Sequence, residues 1–230
     1  MQEKEQSHLC AESKQEQARG KLLRRMLDPV MKDGFQQMKM EDIAKHMDVS
    51  RATLYKHFSS KEEVIAGVVE IFVNYIEKLK DRTGEGDEES FGVWFQQLFE
   101  QAISLAGKIS EEFLKDLQSA YPHLYEELQG TLNKCEQRSL QFYREGQQRG
   151  IFNPINEKFI FLQDKLLLRE LINIKYLLVH QVTLQQVLND YYQLKKIQLF
   201  KADKLSLVDD ARIQPAIEHV VEKFNRSLQQ

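Results

Sequence analysis

MEDIAKHMDVSRATLYKHFSSKEE, residues 40–63, holds two short apolar-periodic runs separated by a sharp turn, with a fresh helix start directly after. Ile43, Ala44 and Met47 share one face of the first run, and Leu54 and Phe58 share one face of the second. Two short helices on so tight a connection read as a helix-turn-helix. Ala44 is small enough to let the helices approach, and Val49 is placed to plug the angle between them. Asp48 takes the sharp turn, where a left-handed backbone accepts Asp better than most residues. Ile43, Val49, Leu54 and Phe58 are therefore expected to form an inner core. Arg51, Ala52, Tyr55, Lys56 and His57 are then left outward, which is how a recognition helix presents side chains to a major groove. Ser50 is placed to cap that helix, and Ser60-Lys61-Glu62-Glu63 reads as a capping box for the next.

Upstream, Leu22, Leu23, Met26, Leu27 and Val30 recur at helical spacing over 18–33, and Gly34 supplies the stop. Pro29 interrupts that run and is expected to kink it. Residues 18–61 hold ten Lys and Arg against five Asp and Glu, a surplus of five positive charges in a chain whose net charge is −3. A basic module on an acidic remainder suits a polyanion at one end only. Residues 1–17 form a polar extension without the apolar segment of a secretory signal, and no stretch is long enough for a membrane helix. Cys10 and Cys135 stand in unrelated settings, so neither a disulfide framework nor a metal site is expected. The expected location is cytoplasmic, with no cofactor and no membrane partner.

Gly34-Phe35, Glu41-Asp42-Ile43-Ala44, the run from Val49 through Ser50-Arg51-Ala52-Thr53-Leu54-Tyr55-Lys56-His57 to Phe58, and Ser60-Lys61-Glu62 together make residues 18–65 resemble the DNA-binding domain of the tetracycline-repressor (TetR) family of bacterial transcription regulators. The resemblance implies an all-α chain, with a three-helix DNA-binding domain joined to a larger helical ligand-binding and dimerisation domain over 66–204. It also implies that Thr53, Tyr55, Lys56 and His57 touch phosphates or bases and that Lys61 grips the backbone. Arg51 is placed either to read guanine by a bidentate contact or to sit beside phosphate. The chain departs from the family at Asp48, where Gly is usual, and at Lys39, where a Thr would cap the first helix of the pair at a value of about 1 kcal/mol.

Beyond a Gly84–Gly86 linker, helices are expected near 90–106, 109–119, 123–149, 156–180 and 183–201, with an added amphipathic helix in the segment 205–230. Trp94, Phe95, Phe99, Tyr121, Tyr125, Phe142, Tyr143 and Tyr176 are candidates to line an apolar effector pocket, the alternative for each being ordinary core. The mixed lining favours an uncharged or cationic ligand. The apolar surplus on the late helices points to a homodimer, hence to double-stranded DNA carrying an inverted-repeat operator. No Gly-x-Ser-x-Gly, phosphate loop or His-Glu-x-x-His occurs, so no enzyme is expected. The leading reading is a repressor released by a small hydrophobic ligand. The alternatives are a helical protein–protein adaptor that has lost DNA binding, and a ligand-independent or activating regulator of the same fold.

Overall fold

The computed structural model describes residues 2–78, 88–106 and 108–228, with side chains from residue 15 onward except that of Ser227. The elements are α1 (Gln2–Asp33), α2 (Met40–His46), α3 (Arg51–His57), α4 (Lys61–Lys78), α5 (Glu88–Leu105), α6 (Glu111–Ala120), α7 (Pro122–Gln148), α8 (Glu157–Leu171), α9 (Ile174–His180) and α10 (Leu184–Leu199). Two 3-10 turns (Ala202–Leu207 and Asp210–Arg212) and α11 (Gln214–Ser227) complete them. Among the described residues there is no strand, only an isolated bridge between Phe152 and Phe200. The expected linker at Gly84–Gly86 lies outside the described residues.

Two compact units divide the chain: 1–78 with 108–131, and 79–107 with 132–230. In the first, Leu23, Met26 and Val30 of α1 bury against Ile43, Leu54 and Phe58, and against Val64, Ile65 and Val68 of α4. The expected helix start near residue 18 is no boundary, because α1 is one helix from Gln2 and continues through Pro29. Pro29 has no N–H to give, so the carbonyl four residues before it, at Arg25, loses its helical donor. Residues 108–131 join this unit through long-range bonds. The Asp116 carboxylate accepts from the backbone N–H of Phe35 (2.6 Å) and of Gln36 (2.8 Å). Phe35 also stacks on Tyr121 and meets Phe113 edge-on.

The second unit has an aromatic core in which Phe91, Phe95, Phe99, Phe142, Phe152, Tyr192 and Phe200 are all nearly fully buried. The expected helix 156–180 is two helices. Asn173 ends one turn and caps the next, its side chain accepting from Lys175 N; an Asn at a cap was the sequence signal for this break. The C-terminal segment, expected as an addition, is core: Val208, Ile213 and Ile217 are buried among the residues of α5 and α10. Gly92 is what admits it, since a Cβ there would stand 1.9 Å from the Leu207 carbonyl oxygen.

Candidate nucleic-acid interface and body cavity

The connection between α2 and α3 forms as its residues dictate. Asp48 adopts φ 55°, the left-handed turn expected of it. Ser50 Oγ accepts from Thr53 N at 3.1 Å and fixes the start of α3. Val49 is only half-buried, and the plug is shared with Met47, which is fully buried. Lys39 offers α2 no side-chain acceptor; Asp42 instead accepts from Lys39 N at 3.1 Å. That bond, then the nearby Lys45, holds the Asp42 carboxyl below its ordinary range.

Two arginines of α1 are struts of this unit. Arg25 of α1 donates to the Met47 carbonyl and lies 3.7 Å from Asp48, bracing the turn. Arg19 pairs with Glu63 at 2.6 Å, donates to the His57 carbonyl at 3.4 Å and lies over the Phe58 ring. Arg19 falls in the register of the buried Leu23, Met26 and Val30, whereas Arg25 is exposed and reaches the turn from the rim of α1.

On α3, Ser50, Arg51, Ala52, Tyr55 and Lys56 are exposed, and Thr53 and His57 are half-buried. Tyr55 keeps half its surface in solvent, high for a tyrosine with a 42% hydrophobic chain to pack into. Arg51 is paired with Glu41 of α2 at 2.8 Å on an exposed face, a contact worth little in water and easily exchanged for a phosphate or base. His57 is less free than expected, because its Nδ1 is buried without a partner. Lys61 is half-buried; its ammonium donates to the Gln36 carbonyl at 3.0 Å and lies over the Phe35 ring. Burial lowers its pKa, and Asp116 partly opposes this. Arg51, Tyr55 and Lys56 thus form the outward basic and aromatic face of α3, while Lys61 at the start of α4 is held by Gln36 and Phe35.

The capping box at α4 is displaced by one residue. Ser60 Oγ accepts from Glu63 N at 3.2 Å, but the Glu63 carboxylate accepts from Ser59 N at 2.7 Å and from Ser59 Oγ at 2.8 Å. These bonds, then Arg19, hold the Glu63 pKa below its ordinary 4.5. A depressed carboxylate contributes stability that is complete above the unfolded value and is lost as pH falls through the folded one. Glu63→Gln should therefore flatten the fall in Tm of the first unit between about pH 5 and about pH 3. An acid limb identical to that of the unsubstituted protein would remove Glu63 from the account.

The second unit holds a small cavity of about 50 Å³, lined by α5, α7, α8 and α10. Of the candidate aromatics, Phe95, Phe99, Phe142 and Tyr143 line it, together with Phe161, and Asp164 and Lys195 add charge that the sequence did not single out. Four candidates do not reach it. Tyr121 is stacked on Phe35 in the first unit, and Tyr125 belongs to that unit too. Tyr176 lies against His180 on the short α9, while Trp94 packs behind Phe142, ring centres 4.9 Å apart. A larger, open cleft of about 530 Å³ lies between α5 and the 3-10 turns, walled by Glu89, Asp209 and Arg212 rather than by aromatic rings. No group of His, Cys, Asp and Glu among the described residues is arranged to hold a metal, and no described helix is long and apolar enough to cross a membrane.

Residues 30–68 match the family described as bacterial regulatory proteins, tetR family. The chain matches none of the curated proteins. Among solved structures, it shares its fold with the ketosteroid transcriptional regulator KstR2 of Mycobacterium tuberculosis, at 18% identity over 80% of this chain and 95% of that one, TM-score 0.58. The TetR-family protein CprB from S. coelicolor A3(2) is similar over 91% of this chain and 98% of its own, at 15% identity and TM-score 0.57. A third similar structure, from Saccharomonospora viridis in complex with choline, covers 81% of this chain and 99% of its own at 16% identity, TM-score 0.54.

Proposed function

The chain carries the DNA-binding module and the all-helical fold of the tetR family of bacterial regulatory proteins, and from that premise we propose that it is a homodimeric, sequence-specific transcriptional repressor released by a small ligand. The observation that carries the DNA-reading part is the ridge of Arg51, Tyr55 and Lys56, exposed on a short helix whose start is fixed by Ser50 and whose end is braced by Arg19. A chain reduced to an adaptor has no physical need to keep that ridge.

Dimerisation is supported by a surface that water disfavours. Phe159, Leu162 and Leu166 on α8, Leu178 and Val179 on α9, and Leu194 and Ile197 on α10 are each at least half exposed. On the same helices Ile160, Leu168, Leu184, Val187, Leu188 and Tyr191 are buried in the core instead. Pairing α8 and α10 with their symmetry mates gives a four-helix contact. Two recognition helices related by a twofold axis read half-sites about 34–36 Å apart, or a multiple of that, so the operator is an inverted repeat. The choline in the relative from Saccharomonospora viridis supports a small-molecule effector as a class, and the cytoplasm is where such a regulator acts.

The test is a gel shift on DNA from around the gene itself, with the salt concentration varied. Tyr55→Ala should weaken binding about tenfold, and Lys61→Ala should weaken it across all sequences while lowering the salt slope by about one. Because Lys61 also bonds Gln36, the melting temperature of each variant is measured alongside. Unchanged affinity and slope for both variants would leave the adaptor reading in place.

A further inference from the structure

The lining of the cavity in the second unit is mostly apolar; besides Ser139, whose hydroxyl is spent on the Cys135 carbonyl, its polar part is a cluster where four side chains meet. Asp164 of α8 accepts from Lys195 Nζ at 2.6 Å and from Tyr191 Oη at 2.5 Å on one oxygen, and from Tyr143 Oη at 2.9 Å on the other. The Lys195 side chain is 3% exposed and that of Asp164 15%, and both border the cavity. Burying such a pair gains little over a well-packed apolar pair of the same size, because desolvation cancels most of the attraction. Its position is equally costly to the fold: Asp164 stands between Ile160 and Leu168, and Lys195 between Tyr191 and Leu199, in the registers that otherwise build the core. The tyrosines stay neutral, since burial and then the Asp164 charge push both phenols up.

The pair carries no net charge, and that decides what can join it. Lys195 Nζ and the Asp164 carboxylate are in contact, so a carboxylate head could reach the ammonium only beside Asp164, and an ammonium head could reach the carboxylate only beside Lys195. Either would add an uncompensated charge to a water-poor site at a cost of several kcal/mol. A hydroxyl, ketone or ester brings no charge and can exchange hydrogen bonds with the same groups. We propose that this cavity is the effector subsite and that it takes a small uncharged amphipathic molecule, its oxygen on the Asp164–Lys195 pair and its hydrocarbon among Phe95, Phe99 and Phe142. At about 50 Å³ the cavity holds only a few water molecules, so its side chains part as the ligand enters. The regulatory meaning rests on the ligand-responsive reading above; the binding does not.

Trp94, the chain's one tryptophan, reports through Phe142, so fluorescence titrations of the whole protein with 1-hexanol, hexanoate and hexylammonium near neutral pH test the proposal. The unsubstituted protein should bind hexanol at least about tenfold more tightly than either ion, and Ala102→Leu, which fills the cavity, should abolish the response. Lys195→Met uncovers the carboxylate and should move the preference to hexylammonium; Asp164→Asn uncovers the ammonium and should move it to hexanoate. Should either single variant fail to fold, Asp164→Asn/Lys195→Met keeps the core neutral and should bind hexanol about tenfold more weakly, since hydrogen bonds to the charged carboxylate and ammonium are replaced by weaker neutral ones or lost. The same ranking of probes in every protein, or undiminished hexanol binding by the double variant, overturns the proposal. So does the lack of any response in the unsubstituted protein, an outcome that leaves the DNA reading to stand or fall on its gel shift.

Discussion

Deleting residues 205–230 is expected to leave the second unit without a cooperative thermal transition, not merely with a lower one. Val208, Ile213 and Ile217 are no more than 5% exposed. Burying each such side chain stabilises by about 1.5–3 kcal/mol, so losing three removes roughly 5–9 kcal/mol. That is as large as the whole stability of many domains, about 5–15 kcal/mol. The deletion also strips polar groups of their partners. Gln96 donates to the Asp209 carbonyl, Lys196 pairs with Asp210 at 2.9 Å, and Gln214 donates to Asn189 at 3.0 Å. Differential scanning calorimetry of the truncated protein checks this, read beside near-UV circular dichroism of the buried aromatics. A second-unit transition within a few degrees of the intact protein would show that α11 contributes contact without stability.

The other large effect is expected at the exposed apolar face. Leu166→Glu with Ile197→Glu places charges at positions 59% and 63% exposed, where the fold of one chain has no objection to them. In a twofold interface each substitution occurs twice, so four carboxylates would have to be desolvated together without partners. Desolvating charge without a partner costs several kcal/mol, and self-association should weaken by a factor on the order of 10³ or more. Sedimentation velocity at micromolar protein should then report a monomer with an unchanged helical spectrum, and operator binding should fall with it because one half-site is lost. A dimer that survives both charges would move the interface to another face.

What the sequence revealed and what it hid divide by distance along the chain. The turn at Asp48, the Ser50 cap and the helix-turn-helix core depend on neighbours a few residues apart, so periodicity and cap chemistry were enough to read them. The Asp116 bonds to Phe35 and Gln36 join residues 81 and 80 positions apart, and nothing local marks an aspartate on an exposed-looking helix as their source. The helix break at Asn173 is marked by a capping residue, but it sits inside an apolar run whose period continues on both sides. The cavity was half legible: its aromatics on α5 and α7 follow from the packing of those helices, whereas Tyr121 and Tyr125 looked equivalent to them until the units were separated. Asp164 and Lys195 were marked all along by their registers, each a charge where its helix repeats an apolar residue. A charge so placed tells that something polar is buried there, but not which partner it meets.

The bond between Asp116 and the loop at Phe35 also sets an order of events when the chain is made. The helix-turn-helix residues are synthesised early, yet the side chains that pack on Phe35 include Phe113 and Tyr121, and the carboxylate that holds its N–H is at 116. Until more than half of the chain has left the ribosome, that N-terminal unit lacks its lid and keeps an aromatic side chain in water. At about 5–20 residues per second, the wait between residue 35 and residue 121 lasts on the order of 4–17 seconds, far longer than a helix or a short loop needs to form. Shortened chains ending near residue 65 should accordingly behave as the ribosome-bound intermediate does, helical in places and prone to stick to one another through Phe35.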